Sequence, residues 1–251
     1  MAPFFGDPAL PGKDDMTKYF LKDTPLAGLE QQMMTPPNFI PRGGGQRGLR
    51  RFRYRPEDVD CKNCKEYRKK RCASQVCSWL EERAEAGVIT YSGLAADFYK
   101  GWRDGRLGDR LQKVLTEKDA VTYYDEGHAV RLRSYAICLN SERNGRTGNH
   151  RLASMYLLTA IEKLRRCALQ NLFGFWPTFG EWKKLYGLSG QEYALYQAAH
   201  GFCRRQQTIT YAELCDEDLV DDIVLALILD ALMIDHYGPV MLRLEEICAR
   251  S

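Results

Sequence analysis

Hydrophobic and polar positions divide the chain into a first quarter without pattern and a helical remainder. Up to about residue 57 no run of apolar positions keeps a strand or helix period. Eight prolines fall there: Pro3, Pro8, Pro11, Pro25, Pro36, Pro37, Pro41 and Pro56. Such a stretch does not bury enough apolar surface to order itself, so residues 1–57 read as a disordered arm. Met16 to Met34 admits one short helix, broken at Pro25.

From residue 78 onward apolar positions recur at helical spacing. Ser78 with Glu81 has the form of a capping box, in which each side chain satisfies the other's backbone amide, and predicts a helix from Ser78 to near Gly87. Leu94–Trp102, Leu107–Leu115 and Val130–Glu142 are amphipathic candidates. The longest predicted helix runs from Asn149 to Phe173 through Leu152, Met155, Tyr156, Ile161, Leu164, Ala168 and Leu172. Thr178 with Glu181, Ser189 with Glu192, and Thr210 with Glu213 repeat the capping signature. They open helices toward Tyr186, Arg205 and, past an acidic stretch, Leu219–His236. Gly238-Pro239 stops the last of these, because proline lacks the amide donor, and a final helix spans Val240–Ala249. Val88–Ala95 echoes Thr208–Cys215: both read as an extended segment entering a helix through a threonine cap. The pattern predicts a mainly α protein. A disordered basic N-terminal arm occupies 1–57, a small four-cysteine module with its helix 58–88, and an α-helical domain 89–251.

Composition adds little until it is resolved along the chain. Apolar residues are 45% and charged residues 27% of the 251, which excludes a fibrous or wholly disordered chain. The net charge of +3 hides an asymmetry. Arg42 to Arg71 holds 12 basic and 4 acidic residues, a local +8, so the rest carries −5. The most apolar run, Ile223–Ile234, is too short to span a bilayer and reads as a core helix. No basic segment precedes an apolar core at the N-terminus, so no signal peptide is expected. Cys138, Cys167, Cys203, Cys215 and Cys248 lie among apolar neighbours and read as buried free thiols. With the other four clustered, the usage fits a reducing cytoplasm.

The cluster is Cys61-x2-Cys64-x7-Cys72-x4-Cys77. A C-x2-C pair turns two sulfurs toward one point, and Zn²⁺ takes four thiolates in a tetrahedron. The residues between them are mostly Lys, Arg, Glu and Asn, so hydrophobic burial does not explain four cysteines here. The expectation is a structural zinc held by Cys61, Cys64, Cys72 and Cys77, with an iron–sulfur cluster as the lesser alternative. Four protein ligands close the site, which argues against catalytic zinc.

Ahead of and within this cluster the charge is cationic. Arg47, Arg50, Arg51, Phe52, Arg53, Tyr54 and Arg55 alternate guanidinium groups with rings, and Lys62, Lys65, Arg68, Lys69, Lys70 and Arg71 follow. Guanidinium groups pair with phosphates and rings stack on unpaired bases, so these residues are the candidate nucleic-acid contacts, with Tyr67 and Trp79 as further rings. A solubilising linker, an arm packed on the acidic body, and docking on an acidic protein are the competing readings.

The helical body offers no catalytic constellation. His128, His150, His200 and His236 form no H-E-x-x-H motif, and no phosphate loop or nucleophile elbow is present. Asp216, Glu217, Asp218, Asp221 and Asp222 read as the acidic start of a helix rather than a metal box. The polar segment Arg143–Arg151 precedes a helix start, a place that suits an anion, although a plain inter-helix turn is the better explanation.

Three segments carry a resemblance: Leu21–Pro37 before the glycine- and arginine-rich stretch, the four cysteines with Glu81–Val88, and Leu152–Ala160. Together they resemble uncharacterised accessory proteins of conjugative elements and prophages of Gram-positive gut bacteria. The resemblance implies a cytoplasmic mobile-element protein. Such proteins often act on nucleic acid or inhibit host defence, for example CRISPR effectors. The expected function is a non-enzymatic accessory protein that contacts nucleic acid or a nucleoprotein through the arm and zinc module. The alternative is a protein–protein adaptor whose helical surface binds the partner and whose zinc is purely structural.

Overall fold

The computed structural model describes residues 23–28, 54–64, 66–68, 71–72, 74–102, 105–116, 118–141, 148–168 and 186–244. The protein is mainly helical. It divides into two compact units, one up to Val88 and one from Ile89. Among the described residues no helix is long and apolar enough to cross a membrane.

In the first unit, single 3-10 turns at Pro56–Val59 and Cys61–Asn63 lead into a minimal hairpin, β1 (Tyr67–Arg68) and β2 (Arg71–Cys72), and then α1 (Leu80–Glu85). Tyr54, Val59, Leu80 and Ala84 are buried and form its small core. The predicted Ser78 cap does not form. Leu80 N donates to Cys77 O (3.3 Å), so a turn occupies residues 77–80 and the helix starts two residues later than expected. Trp79 is its N-cap and supplies no side-chain acceptor.

The second unit is a helical bundle. Its elements are α2 (Tyr91–Phe98), α3 (Gly105–Leu115), α4 (Glu126–Ser141), α5 (Asn149–Ala160), α6 (Glu162–Ala168), α7 (Gly190–Arg204), α8 (Tyr211–Leu214) and α9 (Asp222–Tyr237). Single 3-10 turns stand at Lys100–Trp102 and Pro239–Arg243. The core lies around α5, which packs on α4, α7 and α9. Leu152 to Ala160 are buried without interruption, as expected of a helix covered on all sides. α9 is nearly as enclosed, from Val224 to Ala231.

Several helix starts follow the sequence closely. Ser189 Oγ accepts from Glu192 N (3.1 Å) while Ser189 N donates to Glu192 Oε2 (2.8 Å). Thr210 and Glu213 form the same box, and Thr90 Oγ1 accepts from Gly93 N. Other expectations change. The long helix from Asn149 breaks at Ile161, whose backbone is extended (φ −123°, ψ 131°). Arg131 Nε donates to Thr159 O (2.7 Å) and its Nη2 to Ala160 O. These carbonyls would otherwise have accepted from the next helical turn. The Thr210 helix covers only α8. α9 has its own cap at Asp221, whose Oδ1 accepts from Val224 N (2.8 Å). Buried Arg110 of α3 ties this region down by donating to Leu214 O and Val220 O, both at 2.7 Å. Gly238 ends α9 at φ 82°, and a Cβ there would meet Asn149. The final helix begins as the 3-10 turn at Pro239, and residues 245–249 lie outside the described residues, as does the Thr178–Glu181 box. Cys167, Cys203 and Cys215 are free and half-buried rather than fully enclosed.

A second buried charge lies deeper in the bundle core than Arg110. Asp230 on α9 is fully buried. Its carboxylate accepts from Tyr91 Oη, from Lys118 Nζ (2.6 Å) and from Thr122 N (2.7 Å). Tyr156 Oη donates to Thr122 O and stands 3.3 Å from Asp230 Oδ2. Burial beside this carboxylate raises both tyrosine hydroxyls well above their ordinary pKa, and burial lowers that of Lys118. Every donor around Asp230 is thereby fixed, which is how a buried charge is tolerated.

Candidate metal centre and nucleic-acid interface

The four cysteines sit on three short elements within one unit. Cys61 and Cys64 bracket a turn in which Cys64 N donates to Cys61 O (3.0 Å), and Asp60 caps that turn by accepting from Lys62 N (2.9 Å). Tyr67 N then donates to Cys64 O (3.1 Å), which leads the chain into β1. β1 and β2 are antiparallel, with Tyr67 opposite Cys72 and Arg68 opposite Arg71. Cys77 lies in the turn that precedes α1, and Arg83 Nη1 is 4.0 Å from its sulfur.

All four thiols are free. Cys61, Cys64 and Cys77 are half-buried, and Cys72 is exposed at the hairpin. The donor set suits a zinc ion: a C-x2-C turn, a hairpin and a helix approach, each carrying thiols. Among the described residues no three His, Cys, Asp or Glu side chains are placed to share one ion.

Arg68 and Arg71 are exposed cross-strand neighbours at the hairpin. Lys62 is exposed too, with its side chain 84% open and its ammonium 4.0 Å from Asp60. Arg55 is exposed, and its backbone amide is used by Asp58 (2.8 Å). Tyr54 requires a revision. Its ring is buried and packs edge-on against Trp79, with centroids 6.4 Å apart, so it belongs to the core of the unit and not to an open stacking surface. Arg47, Arg50, Arg51, Phe52, Arg53, Lys65, Lys69 and Lys70 lie outside the described residues.

All four histidines belong to the second unit. His128 is fully buried. Its Nδ1 accepts from Tyr124 N (3.2 Å) and its Nε2 donates to Tyr156 O (2.8 Å), which fixes the neutral tautomer. Burial pushes its pKa down to about 4. The acidic run from Asp216 to Asp222 has structural work. Asp216 and Asp221 cap backbone turns, while Asp222 pairs with Arg110 (3.2 Å) and Lys113 (2.6 Å). One polar group has no signature in the sequence. His150, Arg205 and Asp235 line a common cavity although they come from three helices or their ends. The polar segment ending at Arg151 is the one local signal, and nothing in the sequence joins it to Arg205 or Asp235.

No family model, curated protein or solved structure matches the chain.

Proposed function

We propose that the first unit is a zinc-stabilised module that contacts nucleic acid, and that the helical bundle is its non-enzymatic scaffold. The observation that supports this reading best is the pairing of Arg68 with Arg71 across the hairpin. Like charges directly opposite each other on a ribbon are destabilising by themselves. A phosphate between them reverses the sign, because each guanidinium donates to it and the mutual repulsion is neutralised. Lys62 and the cationic residues of the neighbouring sequence add positive charge to the same unit.

Cys61, Cys64, Cys72 and Cys77 would hold the zinc, whose contribution is to lock the turn, the hairpin and the approach to α1 into one rigid body. Drawing the thiols together presents Arg68 and Arg71 on a fixed ribbon. In the mobile-element setting that the resemblance implies, the target is a nucleic acid or a nucleoprotein, including the effector complexes of host defence.

The test is fluorescence-anisotropy binding of the full chain to single-stranded RNA, single-stranded DNA and duplex DNA across a salt series. Binding should weaken steeply with salt. The R68E/R71E variant should bind more weakly, and its slope of log affinity against log salt should fall by roughly 0.7–0.9 for each phosphate that is no longer neutralised. Absence of binding to all three by the intact chain at low salt overturns the reading and favours a protein partner on the bundle surface.

A further inference from the structure

A cavity of about 910 Å³ opens in the helical bundle and is independent of the cysteine unit. That volume falls within the range of small-molecule sites. Trp102, Phe202 and Tyr211 supply aromatic walls, and Ile228 and Leu232 of α9 supply an aliphatic floor. Trp102 and Tyr211 remain substantially exposed, at 40% and 54%. His150, Arg205 and Asp235 are the charged or titratable groups of the lining beside these walls.

Arg205 and Asp235 are both left without an ion partner among the described residues. Arg205 Nη2 is 3.2 Å from His150 Nδ1, the guanidinium's one hydrogen bond among those residues. Burial and the cations Arg205 and Arg151 hold the imidazole below its ordinary pKa, so it accepts this bond as a neutral ring. Four guanidinium N–H groups stay available. The Asp235 carboxylate makes no hydrogen bond or ion pair among the described residues, Arg205 included. Burial raises its carboxyl pKa, against the opposing effects of His150, Arg205 and His236. The cavity therefore presents a cation, the exposed Arg205, and a half-buried anion, Asp235, beside apolar walls, with neither group in an ion pair among the described residues.

The backbone at Arg205 gives a second, independent sign. It ends α7 in the left-handed region (φ 54°, ψ 44°) and is the one non-glycine residue with positive φ among the described residues. Glycine is the usual occupant of that position after a helix. An arginine held there places its guanidinium at the cavity against a local backbone preference, and such outliers cluster at ligand sites.

We propose that this cavity binds a zwitterionic small molecule with an apolar body, of which an aromatic α-amino acid is the simplest member. The carboxylate pairs with Arg205 and the ammonium with Asp235, while the ring enters among Trp102, Phe202 and Tyr211. A plain carboxylic acid would leave Asp235 facing like charge, and a plain amine would do the same at Arg205.

Calorimetric titration of the full chain tests this with three probes that share one ring: L-tryptophan, indole-3-propionate and tryptamine. L-tryptophan should bind about tenfold or more tighter than either of the others, the worth of one charge-assisted hydrogen bond. Asp235→Asn should remove its advantage over indole-3-propionate. Arg205→Gly should remove its advantage over tryptamine while raising the thermal midpoint, because glycine adopts this backbone without strain. That stabilisation separates a missing ligand partner from an unfolded chain. No binding of any probe at millimolar concentration, or equal binding of L-tryptophan and indole-3-propionate, overturns the proposal.

Discussion

Lys118 Nζ stands 2.6 Å from Asp230 Oδ2 in the centre of the bundle, with the carboxylate fully buried and the lysine side chain 10% exposed. The pair joins the connector after α3 to α9 across 112 residues of sequence. Tyr91 of α2 donates to the other carboxylate oxygen, so three segments converge on one charge.

Removing that charge should be costly. Asp230→Ala leaves the Tyr91 hydroxyl without its acceptor and the Lys118 ammonium with only Ala226 O, at 3.5 Å, and breaking a buried pair this way costs about 3–5 kcal/mol. The double variant Asp230→Leu with Lys118→Met should recover part of that stability, since it removes both charges together. Urea unfolding of the three proteins measures this. Equal stability of Asp230→Ala and the parent would refute the role given to the carboxylate.

His128 should make the bundle acid-sensitive. Its folded pKa of about 4 lies below the 6.5 of an unperturbed histidine. Between these values the unfolded chain takes up a proton that the folded chain refuses, because Tyr124 N already occupies Nδ1. Stability should fall as pH drops from about 6.5 to about 4, by roughly 3 kcal/mol in all, and this contribution should level off below. Subtracting the pH profile of His128→Gln isolates it from the carboxylates. Superimposable slopes in that window would remove the claim.

The two capping signatures should behave differently. Ser189→Ala deletes an acceptor for Glu192 N and should cost about 1 kcal/mol. Ser78→Ala deletes no cap and should stay within about 0.5 kcal/mol of the parent, as ordinary surface changes do. Thermal midpoints of the two variants check the contrast, and a cost at Ser78 equal to that at Ser189 would contradict the turn at 77–80.

Metal content tests the cysteine unit. The purified chain should carry about one zinc, as a four-thiolate site requires. Cys61→Ser with Cys64→Ser should abolish zinc binding, and a chelator should abolish the salt-dependent binding expected of the Arg68–Arg71 hairpin. A metal-free chain that keeps that binding in chelator would separate the nucleic-acid reading from the zinc.

Helical content and many helix starts were legible because their causes are local. Ser189 with Glu192 and Thr210 with Glu213 act over three residues, and the apolar run through Leu225 reads as a buried helix without knowledge of its neighbours. The break at Ile161 was not legible, because it depends on Arg131 reaching the end of α5 from another helix. The role of Tyr54 was hidden for a similar reason. An aromatic ring between arginines looks like a stacking group until Trp79, 25 positions later, covers it. In the candidate site, the C-x2-C turn and the cationic bias were plain in the sequence, while the register that sets Arg68 against Arg71 came from the hairpin.

The sequence by itself determined a mainly helical bundle, the two satisfied capping boxes, the cysteine spacing and the concentration of positive charge. Each rests on side chains within a few positions of one another, where periodicity and short-range hydrogen bonding act. The tertiary structure alone decided that Asp230 would be encircled by Tyr91, Lys118 and Thr122, and that His150, Arg205 and Asp235 would line one cavity. Asp230 lies 108 to 139 positions from the residues that encircle it, the cavity's three groups come from separate helices or their ends, and local patterning carries no record of which helix faces meet.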